Sequence, residues 1–173
     1  WWSRVAQPHL HAWTAEEQPV RLVEQTVAPD DPDPKALACY GVLLRQTDCP
    51  EQVWLRFVDG RPVSAITTQF LAWCCGKLET LRIPVWVLSW DNASWHISKE
   101  VRDWLRKHNR EVRQMGRGVR IVPCYLPSKS PWLNRIEPHW MHGKRKVLEP
   151  ARLLTAQELA DRVSAHFGCD HEP

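Results

Sequence analysis

The stretch from Val85 to Trp140 limits the fold more than any other part of the chain. It opens with Val85-Trp86-Val87-Leu88, a β-branched and aromatic run too short for a helix, which predicts a buried strand with Asp91 at its carboxyl end. WDNASWHISK (90–99) then leads into a basic helix, VRIVPCYLP (119–127) forms a second strand, and SPWLNRIEPHW (130–140) begins a further helix. In α/β sheets, ligands and metals gather beyond the carboxyl ends of strands. The two acids of this stretch, Asp91 and Glu137, are therefore the candidate reactive groups.

Glu137 follows the second strand, where Asn134 is expected to cap a new helix and set Glu137 in its first turn. Pro138 agrees with that late start, since proline costs little in a first turn and much in a helix interior. Two carboxylates on neighbouring elements make an oxygen-rich pocket, which suits Mg²⁺. Each acid also has a plain structural alternative. Asp91 would serve as a turn residue in Asp-Asn, and Glu137 as a capping-box partner reaching back to the amide of Asn134.

WDNASWH followed by LPSKSPWLNRIEPHW resembles the second and third acidic blocks of the DDE transposases, specifically the mariner superfamily and its bacterial insertion-sequence branch. The likeness is dense from about Val85 to Lys146 and thinner before it. It implies a ribonuclease-H-like α/β fold, a mixed sheet with helices on both faces, and a single catalytic domain over 1–173. It also implies two divalent ions, Mg²⁺ or Mn²⁺, held by Asp91 and Glu137, and metal-dependent DNA strand cleavage and strand transfer. One ion would activate the attacking oxygen and the other would stabilise the leaving one. Asn92, His96 and Asn134 would support the site by orienting a carboxylate, a water or a loop. Lys129, Arg135, Lys144, Arg145 and Lys146 would line the path of double-stranded DNA, the plain alternative being that they only solvate their helix. Homo-oligomers and a cytoplasmic place at the bacterial nucleoid complete the expectation.

Two features depart from the family pattern. The acids are separated by 45 residues, a long spacing in which HNREVRQMGRG (108–118) reads as inserted. The family's first aspartate has no convincing counterpart. Asp59 ends a strand-like run, Val53 to Val58, but Asp59-Gly60 reads first as a turn. The start at Trp1-Trp2-Ser3-Arg4, without methionine, leads to the expectation of a shortened N-terminus. An inactive truncated remnant that still folds and binds DNA or a partner is thus a second reading, and a repair or processing nuclease a third.

The net charge is only +3 but unevenly placed: residues 1–96 carry 8 Lys/Arg against 11 Asp/Glu, and 97–173 carry 15 against 9. The basic excess surrounds the candidate site, as expected of a surface that meets phosphates. No run approaches the roughly 18 apolar residues needed to cross a bilayer. Most of the 11 tryptophans, Trp132 and Trp140 among them, are assigned to the core. The six cysteines lack C-x-x-C spacing and read as buried thiols. His139 and His142, without a third nitrogen ligand, make a poor transition-metal site.

Elsewhere the periodicity predicts a short strand at Val20 to Val27, a loop at PDDPDP (29–34), and two strands, Lys35 to Leu44 and Glu51 to Val58, joined as a hairpin. A helix follows from Val63, started near Ser64 or Thr67. A second runs from Ile97 to Arg113, capped by Ser98 and ended by Gly116 and Gly118, with Ile97, Val101, Trp104 and Leu105 inward. A last helix, Thr155 to Phe167, opens with a capping box at Thr155 and Glu158. The helix from Val63 lies between the strand ending at Val58 and the Asp91 strand, which implies a parallel, right-handed crossover.

Overall fold

The computed structural model describes residues 1–5, 26–47, 49–58, 60–147 and 152–169. It is a mixed α/β structure that divides into two compact units, 1–59 with 140–173, and 60–139. The expected strand at Val20 to Val27 lies mostly outside the described residues, and Asp59 lies wholly outside them.

The first unit is built on an antiparallel sheet of β1 (Trp2–Ser3), β2 (Ala36–Leu44) and β3 (Gln52–Val58), in that order. The hairpin register runs from Leu44 opposite Gln52 to Ala38 opposite Val58, as the alternation of the two runs predicts. Trp2, Val53, Leu55, Val147, Leu154, Leu159 and Val163 form its buried core. At about 25 cal/mol per Å² of apolar surface, aromatic and aliphatic burial of this kind is the main force holding a sheet to a helix. The helix here is Ala156–Phe167, whose cap is a complete box: Thr155 Oγ1 accepts from the Glu158 amide and Glu158 reaches back to the Thr155 amide. Trp2, Trp140 and Phe167 meet edge to face, with centroids 5.3–6.0 Å apart. Gly41 makes room for this cluster, since a Cβ there would run into the Trp140 indole and Leu55. Arg4, only 4% exposed, donates to both carboxylate oxygens of Asp31 at 3.0 and 2.9 Å and to the Leu154 carbonyl. Asp33 of the same proline-rich loop accepts from the Ala156 amide, so the loop braces the start of the last helix.

The second unit runs α1 (Ser64–Thr80), β4 (Val85–Trp90), α2 (Lys99–Met115), β5 (Arg120–Tyr125) and a 3₁₀ turn (Pro131–Leu133), then enters α3 (Glu137–Val147). The helix Ala156–Phe167 is α4 in chain order. β4 and β5 pair in parallel from Val85–Arg120 to Trp90–Tyr125, with α2 as the crossover. Parallel strands need such a long connection because their ends point the same way. Ser98 caps α2 by accepting from the Val101 amide, and Gly116 ends it at φ 66°, a left-handed conformation that glycine adopts without penalty. The segment read as an insertion proves structural: Asn109 donates to the Ile121 carbonyl and accepts from its amide at 2.8 and 2.9 Å, and His108 Nε2 lies 2.8 Å from the Val119 carbonyl. Asn109 thereby satisfies one edge of β5 as a neighbouring strand would.

Several expectations are corrected. β4 is buried on one face only, with Trp86, Leu88 and Trp90 covered while Val85 and Val87 remain 47% and 63% exposed. Trp132 is 74% exposed, because the short 3₁₀ turn has no second turn to fold its side chain against. Ile97 precedes the α2 cap and is exposed rather than inward. α1 begins at Ser64, as expected, but β3 pairs with β2 and β4 with β5, so the crossover expected around α1 is not among the described pairings. All six cysteines are free thiols, but only Cys74 and Cys75 are buried; Cys49 in the hairpin loop and Cys124 near the end of β5 are exposed. Burial pushes the Cys75 thiol up to about 12.

Replacing Asn109 by Ala should lower stability in urea by about 1–3 kcal/mol, the cost of unpairing a partly buried backbone amide and carbonyl together. Unchanged stability would show that water serves this edge as well as the side chain does.

Candidate functional site

The parallel register sets Asp91 one residue past β4, beside the segment that leaves β5. The Leu126 amide donates to the Trp90 carbonyl at 2.9 Å, and Asn92 Nδ2 donates to the Leu126 carbonyl, so the pairing continues beyond both strands. Beyond that point the chain turns through Ser128-Lys129-Ser130, where Lys129 takes φ 58°. A left-handed non-glycine residue is uncommon, and such residues concentrate at ligand sites. The Glu137 amide donates to the Asn134 carbonyl, and Glu137 is the first residue of α3.

Asp91 and Glu137 line one cleft of about 380 Å³, with Asn92, Ala93, Leu126, Pro127, Ser128, Lys129, Ser130, Pro131 and Asn134. All belong to the second unit. Asp91 Oδ1 accepts from the Ala93 amide at 3.0 Å and pairs with His96 Nδ1 at 2.7 Å. The His96 ring stacks on Trp90, with centroids 4.9 Å apart and planes 14° from parallel, which fixes its direction. The hydrogen bond from His96 is the first cause, and the Ala93 amide a further one, holding the Asp91 carboxyl below its usual range against the opposing effect of burial. Both bonds fall on Oδ1. No bond to Oδ2 of Asp91, or to the half-buried carboxylate of Glu137, is present among the described residues.

The supporting residues divide. His96 holds Asp91 directly, whereas Asn92 spends its amide on the backbone of the β5 exit. Asn134 lines the cleft but does not cap α3 with its side chain; it closes the 3₁₀ turn, and its backbone carbonyl serves Glu137. Lys129 lines the cleft, and Arg135 is exposed on the turn before Glu137. Lys144, Arg145 and Lys146 are exposed in the last turn of α3 and belong to the first unit. There they also complement the negative end of the helix dipole. Ser128 and Ser130, cleft hydroxyls that sequence reading passed over, were signalled by Ser-Lys-Ser between two prolines, a turn pattern.

The donors around the cleft are carboxylate, amide and hydroxyl oxygens, a set that fits a hard cation such as Mg²⁺ or Mn²⁺ and not a soft one. Among the described residues no group of three or more His, Cys, Asp or Glu gathers in metal-binding geometry. No helix among them is long and apolar enough to cross a membrane.

Comparison with protein families matches residues 52–160 to the DDE superfamily endonuclease domain. A search of curated proteins returns no match.

The lowered Asp91 pKa sets a pH test. The folded value lies below the unfolded one, so the ionised carboxylate contributes stability above the ordinary Asp value of about 3.9 and loses it as pH falls through the folded value. In metal-free buffer, Asp91→Asn should be less stable than wild type at pH 7 by under about 1 kcal/mol, because the side chain is half exposed and screened. The difference should shrink as pH falls below the ordinary Asp value and vanish once it has passed through the lower folded one. A difference that stays constant across that window would remove His96 and Ala93 as the cause.

Proposed function

The chain belongs to the DDE superfamily endonuclease family, and from that membership we propose that it is a transposase catalytic domain of the mariner-like, bacterial insertion-sequence kind, cleaving DNA strands and joining them to a target. The observation that supports this reading most is that Asp91 and Glu137, with 45 residues between them in the chain, line one oxygen-rich cleft. The same reading takes 1–173 as one ribonuclease-H-like domain, with a mixed sheet covered by helices on both faces, working as a homo-oligomer at the bacterial nucleoid.

Asp91 Oδ2 and the Glu137 carboxylate would hold the divalent ions. Two such ions, when bound, activate the attacking oxygen and stabilise the leaving one. The protein's own part is to hold its ligands still. His96 and the Ala93 amide fix one oxygen of Asp91 and so orient the other, while α3 delivers Glu137 from a helix terminus rather than a loose loop. Lys129 and Arg135 would steady the DNA phosphates beside the cleft, and Lys144, Arg145 and Lys146 of the first unit would meet DNA phosphates on their own account. The second reading, an inactive remnant that binds DNA or a partner, is favoured by a described cleft lining that carries two carboxylates.

Nicking of supercoiled plasmid in Mn²⁺ separates the two. The transposase reading expects nicking that EDTA abolishes and that Asp91→Ala or Glu137→Ala each slows by roughly 10³-fold, the equivalent of several kcal/mol of charge stabilisation. Nicking that survives both substitutions would refute the site. A wild-type chain that neither nicks nor binds Mn²⁺ would establish the remnant.

A further inference from the structure

α2 carries a pattern that the cleft does not use. At 3.6 residues per turn, Lys99, Arg102, Arg106, Arg110 and Arg113 fall within one sector of about 80°, and all five are exposed. The buried Val101 and Leu105 lie roughly 120° round the helix from the middle of that sector. Of the helix's acids, Glu100 and Glu111 lie on other faces, and Asp103 stands at the edge, where it pairs with Arg106 at 2.8 Å. The result is a straight cationic stripe about 21 Å long, from 14 residues of rise.

Helix stability does not explain it. Lys99 and Arg102 stand in the first turns, where the helix dipole disfavours cations. Successive members of the stripe are three or four residues apart, the spacing at which like charges repel. Four of the five are arginines, whose planar forks suit phosphate oxygens better than an ammonium does. The stripe is also rigidly mounted, since His108 and Asn109 tie the same helix to the β5 backbone. Its first residue, Lys99, follows the Ser98 cap and is three positions after His96, the residue that holds Asp91.

We propose that the α2 stripe Lys99, Arg102, Arg106, Arg110 and Arg113 is a second DNA contact, binding the phosphate backbone of a duplex. Charge complementarity assigns the occupant, and the inference rests on the proposed function only for taking DNA as the partner. The segment that lengthens the spacing between the two acids thus supplies the far half of a backbone track.

The test is fluorescence anisotropy with a blunt 30-base-pair duplex in EDTA, so that no cutting intervenes, across a series of KCl concentrations. Arg102→Gln/Arg110→Gln/Arg113→Gln should bind at least tenfold more weakly, with a slope of log affinity against log salt shallower by about 2–3, close to 0.9 per lost phosphate contact. The corresponding Arg→Lys triple should recover most of the affinity. A control triple on other exposed cations, Lys35→Gln/Arg61→Gln/Arg82→Gln, should bind within twofold of wild type. Circular dichroism checks that each variant is folded. An unchanged slope in the α2 triple, an equal loss in the control, no duplex binding by wild type, or binding to anionic phospholipid vesicles in place of duplex would each overturn the proposal. Because nothing here depends on metal, a chain that binds duplex through α2 yet never nicks would leave the stripe standing while the nuclease reading fell.

Discussion

The parallel pairing of β4 with β5 is the constraint on which the site depends. It sets Trp90 opposite Tyr125, and two further bonds, from the Leu126 amide to Trp90 and from Asn92 to Leu126, carry the alignment past the strand ends. Only that alignment brings Asp91 to the turn that leads to Glu137. A one-residue slip would reverse the faces of β5 and break both extra bonds. Parallel pairs are slightly weaker per residue than antiparallel ones, which gives the flanking supports their purpose. Asn109 occupies the β5 edge, and the buried contacts of α2 close one face.

The two carboxylates are held in different ways. Asp91 has one oxygen fixed by two donors, which keeps it ionised and leaves the other oxygen with a set direction. Glu137 sits at a helix start, where the partial positive charge of the free amides favours a carboxylate. A half-buried carboxylate left without a protein partner is costly for stability.

Most of the second unit was legible because its signals are local. Ser98, Gly116 and Gly118 mark the ends of α2, and alternation marks the hairpin of β2 and β3. Asp91 and Glu137 were found through their neighbours in the motif, since neither Asp-Asn nor an acid in a first turn is specific alone. What sequence could not give depends on contacts far apart in the chain. Asn109 looked like part of an insertion because its partner is the Ile121 backbone, which has no side-chain signature. Trp132 looked like core because composition says that tryptophan is usually buried, and only the brevity of its 3₁₀ turn leaves it exposed. Arg4 gave no sign of its burial, which rests on Asp31 and on the Leu154 carbonyl 150 residues away.

α2 buries only Val101 and Leu105 of its 17 residues, yet its placement is tightly set. α2 must cross between two parallel strands, so its position follows from the sheet; its buried face follows from Val101 and Leu105, and its rotation from the bonds of His108 and Asn109. Once those three constraints are met, no choice remains about where the lysine and arginine stripe points. The same restraints that align Asp91 with the turn before Glu137 therefore hold the stripe at a fixed angle to the cleft. A duplex gripped along α2 would be presented to the two carboxylates in one orientation, and binding and positioning would come from a single rigid element.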